Sequence, residues 1–167
     1  MHRLTAAVFF LVLGACIQKT SETPTRPFRA ASAPMWSSAQ FNLGKLPGRW
    51  GQSASFGSAS SPCKPGGTEF SNVGGAIHIA ARLCLAGQDM SFSGPVNVVG
   101  PGRLEIDGQV WWVIWVDTDY RTLAIATPSG AYGFILNRGG RLPSDRLAAA
   151  KEIFAFNGYD TAELISY

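Results

Sequence analysis

The chain has 167 residues, 46% of them hydrophobic and only 15% charged, with 19 glycines, 10 prolines and a formal net charge of +3. That length holds one domain plus an appendage, and the glycine and proline content favours an all-β protein with many turns over a helical bundle. Lys and Arg are scattered, with no basic run interleaved with aromatics, which argues against nucleic-acid binding.

In chain order, residues 1–15 place His2 and Arg3 ahead of an apolar core from Leu4 to Leu13. This is the form of a secretory signal peptide, and its apolar part is too short to span a bilayer. The ending Leu13-Gly-Ala-Cys16 resembles the lipobox of bacterial lipoproteins. That resemblance implies that Cys16 becomes the first mature residue and carries acyl chains, which hold a protein on a leaflet. Ile17 follows where an Asp would suggest inner-membrane retention, so the expected location is the outer membrane, facing the periplasm. Residues 16–40, rich in Ser, Thr, Pro, Ala and Arg without periodicity, read as a flexible tether, with Met35-Trp36 as a candidate local anchor. The barrel domain is expected over 41–167.

Strands are predicted at 48–56, 67–73, 76–85, 90–99, 103–107, 109–116, 122–127 and 131–138, from runs of β-branched and aromatic residues bounded by Gly, Pro, Ser and Asp. Gly74-Gly75 is a two-residue hairpin turn, and Pro95 marks a bulge or an edge because it cannot donate to a ladder. From Leu142-Pro143-Ser144-Asp145 the period changes to helical: Ser144 or Asp145 is the expected cap, Leu147, Lys151, Phe154 and Asn157 share a face, and Gly158 is the stop. A short strand at 162–167 ends the order. The run from Gln109 to Arg138 is apolar on both faces, so it must be covered on one side and enclosed on the other. The fold class expected is therefore all-β: an eight-stranded antiparallel up-and-down barrel, with one C-terminal helix packed outside and a short final strand.

Three short motifs in order carry a family resemblance: Gly48-x-Trp50 at the start of the first strand, Thr118-Asp119-Tyr120 at a corner, and Arg138 at the end of the last barrel strand. Together they resemble the lipocalin family, specifically the bacterial outer-membrane lipocalins and their apolipoprotein-D-like relatives. The resemblance implies that Arg138 packs across Trp50 and shuts one end, and that the barrel binds a hydrophobic molecule without cofactor or metal. The stretch from Trp50 to Thr118 is shorter than usual, so the cap over the mouth is reduced. The Gly74-Gly75 turn puts Cys63 one diagonal step from Cys84, and a bulge would bring them within disulfide reach. Export and the family arrangement point the same way.

A catalytic site finds little support. His78 shares its parity with Arg82 and so faces solvent, and Asp117 and Asp119 are turn formers that bond backbone amides. Strand alternation from Trp50 and Arg138, with the family register for the central strand, makes Phe56, Trp111, Val113, Trp115, Ala124, Ala126, Tyr132, Phe134 and Leu136 the expected ligand-lining residues, with Trp112 and Ile114 outward. The small Ala124 and Ala126 beside large aromatics suggest a cavity, against the alternative that the aromatics fill a solid core. The function expected is a lipid-anchored lipocalin, not an enzyme, that binds a fatty acid or lysophospholipid with its polar head near the mouth. A periplasmic protease-inhibitor barrel is the alternative, and an isomerase using a Cys84 thiol is a third possibility, which the disulfide would exclude.

Overall fold

The computed structural model describes residues 26–61 and 63–167; the signal peptide and Cys16 lie outside the described residues. The strands are β1 (Gly48–Phe56), β2 (Gly67–Val73), β3 (Ala76–Leu85), β4 (Gln88–Pro95), β5 (Asn97–Gly100), β6 (Arg103–Ile106), β7 (Gln109–Val116), β8 (Thr122–Ala126), β9 (Gly133–Asn137) and β10 (Leu164–Ser166), with one helix, α1 (Ser144–Phe156), before the last. The sheet order is β4-β3-β2-β1-β9-β8-β7-β6-β5. β1 joins the first part of the chain to the last. One of its edges pairs with β9 over Gly51–Ser55, and the other with β2 over Gly48–Gly51 and then with β10 over Ala54–Phe56.

The result is a nearly closed antiparallel barrel. Its nine wall strands correspond to the eight expected, because the predicted 90–99 strand is divided at Val96 into β4 and β5. Pro95 ends β4, and the Val96 amide turns aside to donate to the Ile77 carbonyl at 2.8 Å. β4 and β5 are also the two ends of the strand order, so the proline sits where the ladder is interrupted, as its missing N–H requires.

Two bulges decide which residues face inward. The β1–β9 register shifts between Gln52 and Ala54, and the β7–β8 register between Val113 and Trp115. An extra residue in a strand reverses the alternation beyond it. The inner cluster therefore holds Trp50, Trp111, Val113, Leu123, Ile125, Phe134 and Leu136. The outer cluster, beneath α1, holds Ala54, Phe56, Ile114, Ala124, Ala126 and Ile135 with Ala150 and Phe154 of the helix, and Trp115 packs against it. This corrects the expected inward placement of Phe56, Trp115, Ala124 and Ala126. The two alanines are small because the helix lies close on them, not because they border a cavity; Trp112 and Ile114 do lie outward as expected. Gly133 serves the same seam: a Cβ there would lie 2.7 Å from the Phe56 ring.

α1 begins differently from expectation. The N-cap position is Pro143, with no side-chain cap, and Ser144 and Asp145 fall inside the first turn, where Asp145 faces the positive end of the helix dipole. Phe156 is solvent-exposed. Gly158 stops the helix with φ +83°.

The expected tether is ordered from Arg26 onward. Phe28 donates from its amide to Gly130 and accepts from Asp160, while Ala30 donates to Gly158. The buried Arg29 donates to the carbonyls of Asn157 (3.1 Å), Pro128 (3.0 Å) and Ala33, placing a cation at the C-terminal end of α1. Further along, the Trp36 amide donates to Asn157 Oδ1 at 2.7 Å and the Ser38 amide to the Val113 carbonyl at 2.8 Å. Residues 26–46 thus form a strap from the β8–β9 turn to the opposite end of the barrel.

Candidate functional site

The end of the barrel beside the β7–β8 corner is sealed. Leu46, behind a 3-10 turn at Leu43–Lys45, is 1% exposed and fills the floor. The Arg138 guanidinium lies 4.0 Å over the Trp50 ring, and its Nη2 donates to the carbonyls of Lys45 (3.0 Å), Leu46 (2.7 Å) and Pro47 (3.0 Å). Trp50 Nε1 donates to the same Leu46 carbonyl at 2.9 Å. Burial holds the Arg138 pKa below its ordinary value, which the carbonyls offset by solvating the cation. At the corner, Asp117 accepts from the amides of Arg121 (2.6 Å) and Thr122 (2.5 Å), and Asp119 pairs with Arg121 at 2.7 Å. Asp117 is the turn former expected, bonding backbone amides, whereas Asp119 lies in the same turn with an exposed carboxylate that pairs with the Arg121 side chain. Tyr120, at φ +54°, accepts at its hydroxyl from the Asn42 amide at 2.7 Å and so ties the corner to the strap.

Above the floor, side chains meet across the lumen. Trp111 packs edge to face on Phe92 (centroids 4.9 Å apart) and on Phe134 (5.1 Å). Around them are Leu83, Leu85, Leu104, Ile106, Leu123 and Ile125, none of them in the expected lining set. The odd-numbered alternation Ile77, Ile79, Leu83, Leu85 in β3 was the signal available for that wall. Of the expected lining residues, the structure brings Trp111, Val113, Tyr132, Phe134 and Leu136 together inside. Tyr132 and Ala131, ahead of β9 at the other end, cover the mouth, and burial raises the Tyr132 pKa. Two clefts, of about 430 Å³ beside Leu142, Leu147 and Tyr167 and about 500 Å³ beside Phe28 and Tyr159, lie on the outside of the barrel.

The mouth is framed by two further devices. Cys63 and Cys84 form a disulfide, with Cα atoms 5.6 Å apart, that ties the β1–β2 loop to β3; Cys84 is therefore no thiol nucleophile. Where β2 leaves the wall, the Gln52 side chain replaces it. Its Oε1 accepts from the amides of Gly66 (3.1 Å) and Cys84 (2.9 Å), and its Nε2 donates to the Cys84 carbonyl at 2.6 Å. Behind the β8–β9 turn, the Tyr159 hydroxyl accepts from the Thr127 amide (3.1 Å) and shares its proton between the carbonyls of Thr127 (2.9 Å) and Tyr132 (2.8 Å). Burial pushes its pKa up to about 12, against the opposing hydrogen bonds from Thr127 and the charge of Arg29. His78 is half-buried on the outer face of β3, and no group of three or more potential metal-ligating residues occurs among the described residues.

A barrel plugged at one end by an arginine–tryptophan stack, apolar within and backed by one external helix, defines an antiparallel calyx. Residues 89–167 match the family model described as a lipocalin-like domain. Among solved structures, H1 crustacyanin from the lobster Homarus americanus is similar with 20% identity and a TM-score of 0.57, over 84% of this chain and 88% of that one. Insecticyanin from the tobacco hornworm Manduca sexta is similar with 15% identity and a TM-score of 0.57, over 80% and 84%. The cockroach allergen Per a 4 is similar with 13% identity and a TM-score of 0.57, over 75% and 87%. No curated protein matches the sequence. The chain has the lipocalin fold, and residues 89–167 are similar to a lipocalin-like domain.

Proposed function

We propose that this protein is a lipid-anchored lipocalin of the bacterial, apolipoprotein-D-like kind, held at the outer membrane through Cys16 and facing the periplasm, that binds a small hydrophobic ligand for storage or transport in the cell envelope. A fatty acid or lysophospholipid is the ligand type. The observation that carries the reading is the apolar cluster running from Trp50 to Tyr132, walled by strands, sealed at the floor and bounded at the mouth by turns and the disulfide-tied β1–β2 loop. An acyl chain enters by rotating Tyr132 and Phe92 aside. Each buried methylene contributes about 0.8 kcal/mol, offset by association entropy and by the contacts displaced. Binding is favoured over catalysis because Cys84 is held in the disulfide and Asp117 and Asp119 are committed to the corner. The protease-inhibitor alternative needs a free N-terminal segment, whereas residues 28–38 are hydrogen-bonded along the barrel.

Native mass spectrometry of protein purified from membranes, followed by lipid extraction, tests the ligand. A bound amphiphile released on denaturation is expected, and protein that is empty and takes up no acyl probe overturns the reading. Cys16→Ser tests the anchor separately. It should release the protein into the soluble periplasmic fraction, and persistence in carbonate-washed membranes rules the anchor out.

A further inference from the structure

Among the described residues, Trp111 is the inner-wall aromatic whose polar atom is fully buried and left over. It is 0% exposed, and its Nε1 finds no hydrogen-bond partner. The rings that Trp111 meets across the lumen, Phe92 and Phe134, carry no donor. A buried donor without an acceptor is destabilising, and phenylalanine would fill much of this space without that penalty. The other polar side chains of the interior do not supply the acceptor. Gln52 is committed on both its amide atoms to Cys84 and Gly66. Thr68, whose Oγ1 is also unpartnered, sits opposite Trp50 near the floor.

The depth of Trp111 is informative. β7 starts at Gln109 from the mouth-side hairpin, where Ile106 pairs with Gln109 and Leu104 with Trp111. At about 3.3 Å per residue, the indole is set roughly 7 Å below the rim. A molecule whose polar end rests at the mouth and whose tail fills the lumen would carry its first interior oxygen past this point. The chemistry of that oxygen is restricted as well. The groups around Trp111 are hydrocarbon, and the interior cation, Arg138, lies at the far end beneath Trp50. An ionised carboxylate placed here would lose far more hydration than one indole N–H returns.

Resting on the reading that the barrel takes a hydrophobic ligand, we propose that Trp111 Nε1 is its specificity-determining donor, selecting long-chain molecules with a neutral carbonyl oxygen projecting sideways from the chain near the mouth, an acyl ester or ketone, over the ionised free acid and over an ether, whose oxygen lies in line with the chain. The test uses the intact protein at pH 8 and three probes of equal chain length: methyl dodecanoate, dodecanoate and methyl dodecyl ether, with binding measured by calorimetry. The wild type should favour the ester over the carbonyl-free ether by about 3- to 10-fold, the worth of one neutral hydrogen bond, and over dodecanoate by more. Trp111→Phe should remove the ester's advantage over the ether while still binding both. Thr68→Val, which deletes the other orphan near the floor, should leave the preference unchanged and controls for altered packing. Equal binding of ester and ether by the wild type, or a preference that survives Trp111→Phe, overturns this inference alone and means that the N–H rests on a neighbouring ring face. If none of the three probes binds, the hydrophobic-ligand reading itself fails.

Discussion

Replacing Arg138 by alanine tests whether the floor is a structural plug. The substitution removes a charged donor shared among the carbonyls of Lys45, Leu46 and Pro47 and a guanidinium 4.0 Å above the Trp50 ring. Hydrogen bonds to charged groups contribute about 1.5–3 kcal/mol, and a partly desolvated cation–π contact about 0.5–2 kcal/mol. The Leu46 carbonyl keeps its bond from Trp50 Nε1, and Arg138 is only partly buried, so the sum is discounted to about 2–3 kcal/mol. For a domain of this size, 1 kcal/mol moves Tm by about 2–4 °C, and a fall of about 5–10 °C follows. Arg138→Lys should recover only part of it, because an ammonium cannot lie flat on the indole while reaching three carbonyls. Thermal melts followed by far-UV circular dichroism at neutral pH measure both variants. A melting temperature within about a degree of wild type for Arg138→Ala, or full rescue by lysine, would refute the plug.

The inside–outside assignment predicts that Ala126→Trp overpacks the seam with α1 and lowers stability by about 1–3 kcal/mol, leaving the affinity of the folded fraction for an acyl probe unchanged. Ile125→Ala, on the inner wall, should lower stability by about 2–4 kcal/mol and alter that affinity. The reverse pattern of affinities would show the faces to be exchanged. Removing the disulfide with Cys63→Ser and Cys84→Ser, which span 21 residues of sequence, should lower the unfolding free energy by about 3 kcal/mol in urea titrations, and an unshifted midpoint counts against it. Tyr159 gives a pH dependence. Its folded pKa of about 12 lies above the ordinary value of 10.0, so the folded state holds a proton that the unfolded chain releases first. Its contribution is complete below pH 10 and is lost as pH rises towards 12, by roughly 2 kcal/mol. Tyr159→Phe should flatten stability over that window, and an unchanged slope would exclude Tyr159 as the source.

What could be read from the sequence was what is local. The Gly74-Gly75 turn, the Asp117–Arg121 corner, the span of β7 and the Gly158 stop each depend on residues adjacent in the chain. The meeting of Trp50 and Arg138, far apart in the chain, is legible only through the family resemblance that their motifs carry, and the structure shows the stack. Parity failed at bulges: nothing in Gln52-Ser53-Ala54 or Val113-Ile114-Trp115 announces an extra residue, since a bulge is set by the partner strand. In β8 there is no bulge within the strand, and the error came from reading small residues as borders of a cavity when they admit a helix some twenty residues later. Of the strap, only the Met35-Trp36 anchor is legible in the sequence, for a related reason. The strap's Pro, Ser and Arg composition matches that of a disordered linker, and the contacts that order Arg29, Trp36 and Ser38 are made with Asn157, Pro128 and Val113.

The way β1 finds its partners bears on how the molecule assembles. Its upper edge is covered by the segment around Leu164–Ser166, with the Tyr167 amide donating to Ser53 at 2.9 Å, and Ser55 meets the Tyr167 hydroxyl at 2.6 Å across 112 residues of sequence. Until that last segment has been made, β1 presents an open row of amides and carbonyls to whatever strand arrives first. Closure by such distant pairs is slow relative to the local hairpins β2–β3 and β6–β7. The species exposed to aggregation is therefore a nearly complete barrel lacking β10, and a second copy offering its own 164–166 segment would fit the gap as well as the chain's own.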